Sequence, residues 1–209
     1  MTSPGGTQER FDPRSILTAL QAAAVSSVVI GGLARVARGS DEVTTGVDIC
    51  PSLQAANLGR LETALADMGA ARPDGDDLAI DEAHLRAEPV IDMSTPFGGL
   101  KLIAAPAGVP RGYDALRAGA TSEHLGGGLR PEIASTGDLI AMSAALRRDE
   151  DLKRMPALRR ILQLEADPAG LVAPSPPTGL RPGAALAGEL SHLERSRRGG
   201  PGKGPGVGR

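Results

Sequence analysis

Three consecutive β-branched residues, Val28-Val29-Ile30, run straight into Gly31-Gly32 and then into Leu33-Ala34. Gly39-Ser40 and a second apolar stretch, Val43-Thr44-Thr45-Gly46-Val47-Asp48-Ile49-Cys50, follow closely. The β-branched run reads as a strand stopped by the glycine pair, and Leu33 to about Arg38 as a helix that Gly39 ends. Val43 to Cys50 reads as the next strand. A strand, a turn, a helix and a strand in so short a space commit the chain to layers of sheet and helix. The turn also has a chemical reading. Backbone N–H groups at a helix start, with the positive end of the helix dipole, suit a phosphate. The plainer reading of Gly-Gly after a strand is a tight turn.

The flanking segments continue the alternation. Asp12 and Pro13 form an N-cap and first-turn pair for a helix from about Pro13 to Ala24. Ser52 is placed to cap the helix after the second strand. Leu58, Leu61, Leu65 and Met68 recur there at spacings of three and four, and Gly69 closes it. Strands are expected at about Pro89 to Met93 and Leu100 to Ala104, joined by Thr95-Pro96-Phe97-Gly98-Gly99. A short helix is expected over Tyr113 to Ala120 and a brief strand at Ile133-Ala134. Ser135 or Thr136 then caps a helix through Leu146, and a last helix covers about Glu150 to Leu164. The fold class is therefore α/β (α+β), a mixed sheet flanked by helices.

Phe11, Phe97 and Tyr113 are the only aromatic residues, so the core must be built from Leu, Val, Ile, Ala and Met. A formal charge of -2 supplies no global attraction to nucleic acid or an acidic membrane. The single cysteine, Cys50, excludes an intramolecular disulfide and a cysteine-based zinc site. No stretch approaches the roughly 18 apolar residues of a membrane span. Charged residues at Glu9, Arg10, Asp12 and Arg14 do not suit a secretory signal, so a cytoplasmic location is expected. From Asp167 to Arg209 there are 10 Gly and 7 Pro in 43 residues, too little apolar material to offset ordering entropy. The expected organisation is one domain over residues 12–165 and a disordered tail over residues 166–209, with a short helix at about Ala184 to Arg197. Six Arg or Lys against three acids would let that tail hold RNA loosely, although a solvated terminus is the simpler reading.

Taken in order, Gly31-Gly32, Gly39-Ser40 and Asp48 resemble the minimal nucleotidyltransferase family, including its toxin-type members related to abortive-infection systems. Asn57-Leu58 to Gly69-Ala70 is similar to that family's next helix, Thr95 to Leu102 to the hairpin carrying its third acid, and Ser135 to Leu152 to its C-terminal helical segment. The resemblance covers about 150 residues. It implies a nucleotidyltransferase-like sheet, a nucleotide held at Gly31, Gly32 and Ser40, and Asp48 as a catalytic, metal-binding acid. The cofactors it implies are Mg2+ and an NTP.

That chemistry needs divalent metal, because the triphosphate must be neutralised and the attacking oxygen activated. Magnesium asks for hard oxygen ligands in near-octahedral geometry. Two acids at i and i+2 share one face of a strand, and a third comes from the neighbouring hairpin. The first position here holds Gly46 and the third aligns with Lys101, leaving Asp48 alone. At an effective dielectric of about 20, a unit charge pair about 4 Å apart interacts by roughly 4 kcal/mol, and the metal carries two charges. Lys101 is therefore expected in the metal's place, paired with Asp48. Ser143 stands where the family's phosphate-contacting lysine is expected, and Arg148 and Asp151 read as a surface pair.

Three functional readings follow. In the first, catalysis is lost or impaired while a nucleotide or a protein partner is still bound. In the second, an active transferase modifies RNA or protein with acids relocated to Asp41, Glu42 or Asp92. In the third, the fold is a scaffold for protein interaction. His84, His124 and His192 lie far apart and read as surface residues, and Cys50 as a small apolar one.

Overall fold

A computed structural model describes residues 11–75 and 80–167. The expected tail and its short helix, and His192, lie outside the described residues. The chain runs α1 (Pro13–Ala22), β1 (Ser27–Ile30), α2 (Gly31–Ala37), β2 (Gly46–Pro51), α3 (Ala55–Asp67), α4 (Glu82–Ala87), β3 (Val90–Thr95) and β4 (Gly98–Ile103). It continues with α5 (Tyr113–Gly119), β5 (Thr121–Ser122), β6 (Glu132–Ile133), α6 (Thr136–Leu146) and α7 (Asp149–Ala166). The strands make one six-stranded sheet in the order β3-β4-β2-β1-β6-β5. β4 and β2 are parallel, as are β1 and β6, and the remaining pairs are antiparallel. The α/β class expected from the sequence is the class observed.

Local chemistry accounts for most boundaries. Asp12 caps α1 by accepting from the Arg14 and Ser15 amides at 3.1 and 3.2 Å. The helix stops at Ala22 rather than Ala24, where Ala24 takes a left-handed φ of 53°. α3 carries Leu58, Leu61, Leu65 and Met68 buried on one face, and Gly69 follows at φ 66°. Ser52 does not cap it. The buried Asn57 instead donates to the Ser52 and Ser26 carbonyls and accepts the Ser26 amide, tying the helix to the ends of β1 and β2. Ser135 caps α6 through the Asp138 amide. β2 begins at Gly46, three residues later than the pattern suggests. Thr44 Oγ1 turns back onto the Gly46 carbonyl, and Val43 is 90% exposed with no strand partner. α4 and β5 have no counterpart in the sequence reading. Asp81 caps α4 through the His84 amide, but six residues are too few for a periodic pattern.

The core is aliphatic, as the shortage of aromatics requires. Val28, Val29 and Ile30 of β1 and Val47 and Ile49 of β2 are all but fully buried, with Leu100 and Leu102 of β4 beside them. Cys50 is buried among them, and burial, with Asp114 adding, pushes its thiol up to about 12. Among the described residues, no helix is long and apolar enough to cross a membrane.

Candidate functional site

Strand alternation turns Asp48 to the face opposite Val47 and Ile49. Register then puts three charged residues in a row across the sheet. Asp48 of β2 stands opposite Lys101 of β4, and Lys101 stands opposite Asp92 of β3. On its other side Asp48 is opposite Ile30, the last residue of β1. The chain leaves β1 through Gly31, at φ 64°, directly into α2. The left-handed turn brings that backbone so close that the Asp48 carboxylate lies where a Gly31 Cβ would be. From there Asp48 accepts a hydrogen bond from the Gly32 amide.

Two cavities, of about 260 and 400 Å³, flank this row. Both are lined by Arg35, Asp48, Lys101, Glu150 and Arg154. Lys101 and Asp48 are neighbours as expected, but they are not each other's ion-pair partner. Lys101 Nζ forms its ion pair with Asp92 at 2.8 Å, not with Asp48, because the antiparallel β3–β4 register faces the two side chains directly. Burial raises the Asp48 carboxyl above the ordinary range. The charges of Lys101 and Arg35 oppose that shift, Asp92 adds to it, and the Gly32 amide opposes it.

Of the acids weighed as substitutes, Glu42 is occupied. Its carboxylate takes Arg35 Nε at 2.6 Å and Arg154 Nε at 3.2 Å, and it also bonds the Ser40 side chain. Ser40 therefore serves this loop and lines neither cavity. Asp41 is exposed. Arg148 and Asp151 do not form a surface pair. Asp151, in the first turn of α7, is 5% exposed, and its Oδ2 has no hydrogen-bond partner. Ser143 is buried against the smaller cavity. The Arg35–Glu42–Arg154 set escaped the sequence reading because Arg154 lies more than a hundred positions from Glu42, and no local pattern links them. His84 lies 3.7 Å from Glu88, and His124 Nδ1 accepts the Gly126 amide, so neither enters the row. A larger cavity of about 930 Å³, lined by Ser52, Ala104, Arg111 and Tyr113 among others, contains none of these charged residues.

The residues present do not fit a magnesium ion. Gly46 supplies no ligand, and a Cβ there would meet the Gly99 carbonyl at 3.2 Å. Lys101 puts an ammonium between Asp48 and Asp92, where it would repel a divalent cation. Among the described residues, no group of three or more His, Cys, Asp or Glu is arranged to hold a metal.

The raised Asp48 carboxyl makes stability depend on pH in a definite direction. A group whose value rises on folding contributes most when protonated, and that contribution is lost as pH climbs from the ordinary carboxylate value through the folded one. Asp48→Asn, whose Oδ1 still accepts from Gly32, is therefore expected to melt higher than wild type at pH 7. The difference should close near pH 4 in thermal melts at the two pH values. A lower melting temperature for Asp48→Asn at pH 7 would show that Lys101 and Arg35 outweigh the cost of burial.

No family model matches the chain, and no curated protein matches it. Among solved structures the chain is similar to the antibiotic-resistance factor ANT(2'')-Ia, whose solution structure is described as revealing substrate-regulated conformation dynamics. The identity is 16%, the match covers 88% of this chain and 94% of that one, and the TM-score is 0.49. A likeness of that extent concerns the course of the chain alone.

Proposed function

We propose that the chain is a nucleotidyltransferase-like domain that binds a ligand and has given up nucleotidyl transfer. The observation that carries this reading is the Lys101–Asp92 ion pair at 2.8 Å, set in register beside Asp48 where the family's third acid would complete a metal site. Two further contacts support it. The Gly32 amide, which a phosphate would use, is engaged by the Asp48 carboxylate. The guanidinium of Arg35 is held by Glu42. Membership of the toxin-related branch, a retained nucleotide and an RNA or protein acceptor rest on the sequence resemblance alone.

Calorimetric titration with each NTP, with and without Mg2+, tests the reading. Wild-type protein is expected to show no magnesium-dependent binding. Lys101→Asp is expected to gain it, because it removes the ammonium and leaves a row of carboxylates on three adjacent strands, and its melting temperature should rise with added Mg2+. Magnesium-dependent NTP binding by wild type that disappears in Asp48→Ala would overturn the proposal in favour of an active site with relocated acids.

A further inference from the structure

The cavity of about 930 Å³ lies at the carboxyl ends of two parallel neighbours, β2 and β4. Ser52 follows β2 directly, Ala104 follows β4 directly, and both line it. In open α/β sheets ligands are received outside the carboxyl ends of such strands, and the volume falls within the range of small-molecule sites. Asp48, Lys101 and Asp92 do not border it.

Three unused donor groups meet at this end of the sheet. Ser52 is 6% exposed and fixed by its backbone, its amide donating to the Ser26 carbonyl and its own carbonyl accepting from Asn57. Its hydroxyl has no hydrogen-bond partner among the described residues, and the part of the residue left open faces the cavity. A hydroxyl so nearly buried is rarely left idle. The second group is the start of α3, a 13-residue helix. Gln54 caps it without a side-chain bond, its first turn holds no acid, and Gln54 lines the cavity. Orphan amides and the positive end of the helix dipole therefore open there. The third is Arg111, which is exposed and has no ion-pair partner among the described residues. Its loop is nonetheless fixed. The Arg111 and Gly112 amides both donate to the Val109 carbonyl at 3.1 Å, and a Cβ on Gly112, at φ 50°, would meet the Ala104 carbonyl at 2.8 Å. The acids on the rim do not cancel these donors. Glu82 is held by Arg86 at 2.6 Å, and Asp114 lies in the first turn of α5, whose own start offsets its charge.

We propose that this cavity binds the phosphate monoester of a small organic molecule. The phosphate sits between the Ser52 hydroxyl, the start of α3 and the Arg111 guanidinium. Donors arriving from three elements suit the three terminal oxygens of a tetrahedral phosphate better than the two of a planar carboxylate. The organic part lies against Leu53, Val109, Pro110 and the Tyr113 ring. This site is additional to the charged row and does not depend on whether nucleotidyl transfer is lost.

The test is titration of the full chain with phenyl phosphate at about pH 7, where a phosphate monoester is mostly dianionic, with phenol and benzoate as the neutral and carboxylate counterparts. Phenyl phosphate is expected to bind saturably, benzoate at least about tenfold more weakly, and phenol not at all. Arg111→Gln should weaken phenyl phosphate at least about tenfold, through loss of a charge-assisted bond. Gln54→Asp separates binding from folding. It gives α3 an acidic N-cap and should keep or raise the melting temperature, while its charge beside the phosphate abolishes binding. Amide NMR shifts on titration should centre on residues 52–55 and 111–114 and leave Gly31 and Gly32 unmoved. Absence of phenyl phosphate binding, equal binding of phenol or benzoate, an unchanged affinity in Arg111→Gln or Gln54→Asp, or shifts centred on Gly31 and Gly32 would each overturn the proposal.

Discussion

Glu42→Ala is expected to cost about 3 kcal/mol of stability, among the largest single effects in this molecule. The Glu42 side chain is 9% exposed and is the direct partner of Arg35, itself only 13% exposed. Removing one member of a buried ion pair leaves the other charge uncompensated, which typically costs about 3–5 kcal/mol. The lower end applies because Arg154, the third member, is 35% exposed and can turn to water. At about 2–4 °C per kcal/mol for a domain of this size, the melting temperature should fall by roughly 6–12 °C. Glu42→Gln keeps the acceptor and should lose less. The pH dependence adds a second check. Burial would raise the Glu42 carboxyl, but the hydrogen bonds and charge of Arg35, then Arg154 and Ser40, overcome it and hold the group below the ordinary value. A lowered value contributes stability above the ordinary carboxylate range that is lost as pH falls through the folded value. The gap between wild type and Glu42→Ala should therefore be full at pH 7 and narrow below about pH 4. A loss under about 0.5 kcal/mol by urea unfolding at pH 7 would show that Arg35 finds another partner.

What could be read from the sequence follows the range of the interactions involved. Asp12, Gly69 and Ser135 act within one turn of chain, and each boundary they mark was visible. The buried stripe of α3 repeats at helical spacing, and the hairpin strands of β3 and β4 alternate cleanly. Ser52 failed as a cap because Asn57 offers three hydrogen bonds to two strand ends, a tertiary arrangement that a cap rule cannot anticipate. The site divides in the same way. Gly31, Asp48 and Lys101 were singled out together, and register does bring them together. The partner of Lys101 depended on the β3–β4 register, which puts Asp92 directly opposite it while Asp48 turns to the Gly32 amide. The burial of Asp151 is not legible because an Arg and an Asp three apart in sequence give no sign of what packs over them, and α7 packs on α6.

Gly31→Ala is expected to cost about 2–4 kcal/mol, and the reason for the loss can be separated by a second substitution. Part of the cost is conformational. At φ 64° an L-residue with a Cβ is strained by about 1–2 kcal/mol, because its Cβ crowds the following carbonyl. The rest is steric and specific to this site. The new Cβ would overlap Asp48 Oδ2 and crowd Cγ at 2.8 Å, so the carboxylate must leave the Gly32 amide. Asp48 is short, and Lys101 stands opposite it on the neighbouring strand, which limits where it can go. In an Asp48→Ala background the conformational part, about 1–2 kcal/mol, should remain with only a tight contact to the residue-48 Cβ at 3.0 Å beside it. The shortfall from additivity then measures the contact between the turn and the acid. Chemical denaturation of the four proteins in that cycle is the measurement. Additive losses would mean that Asp48 moves aside freely and that the Gly31 turn is conserved in shape by its backbone angle alone, without the carboxylate behind it.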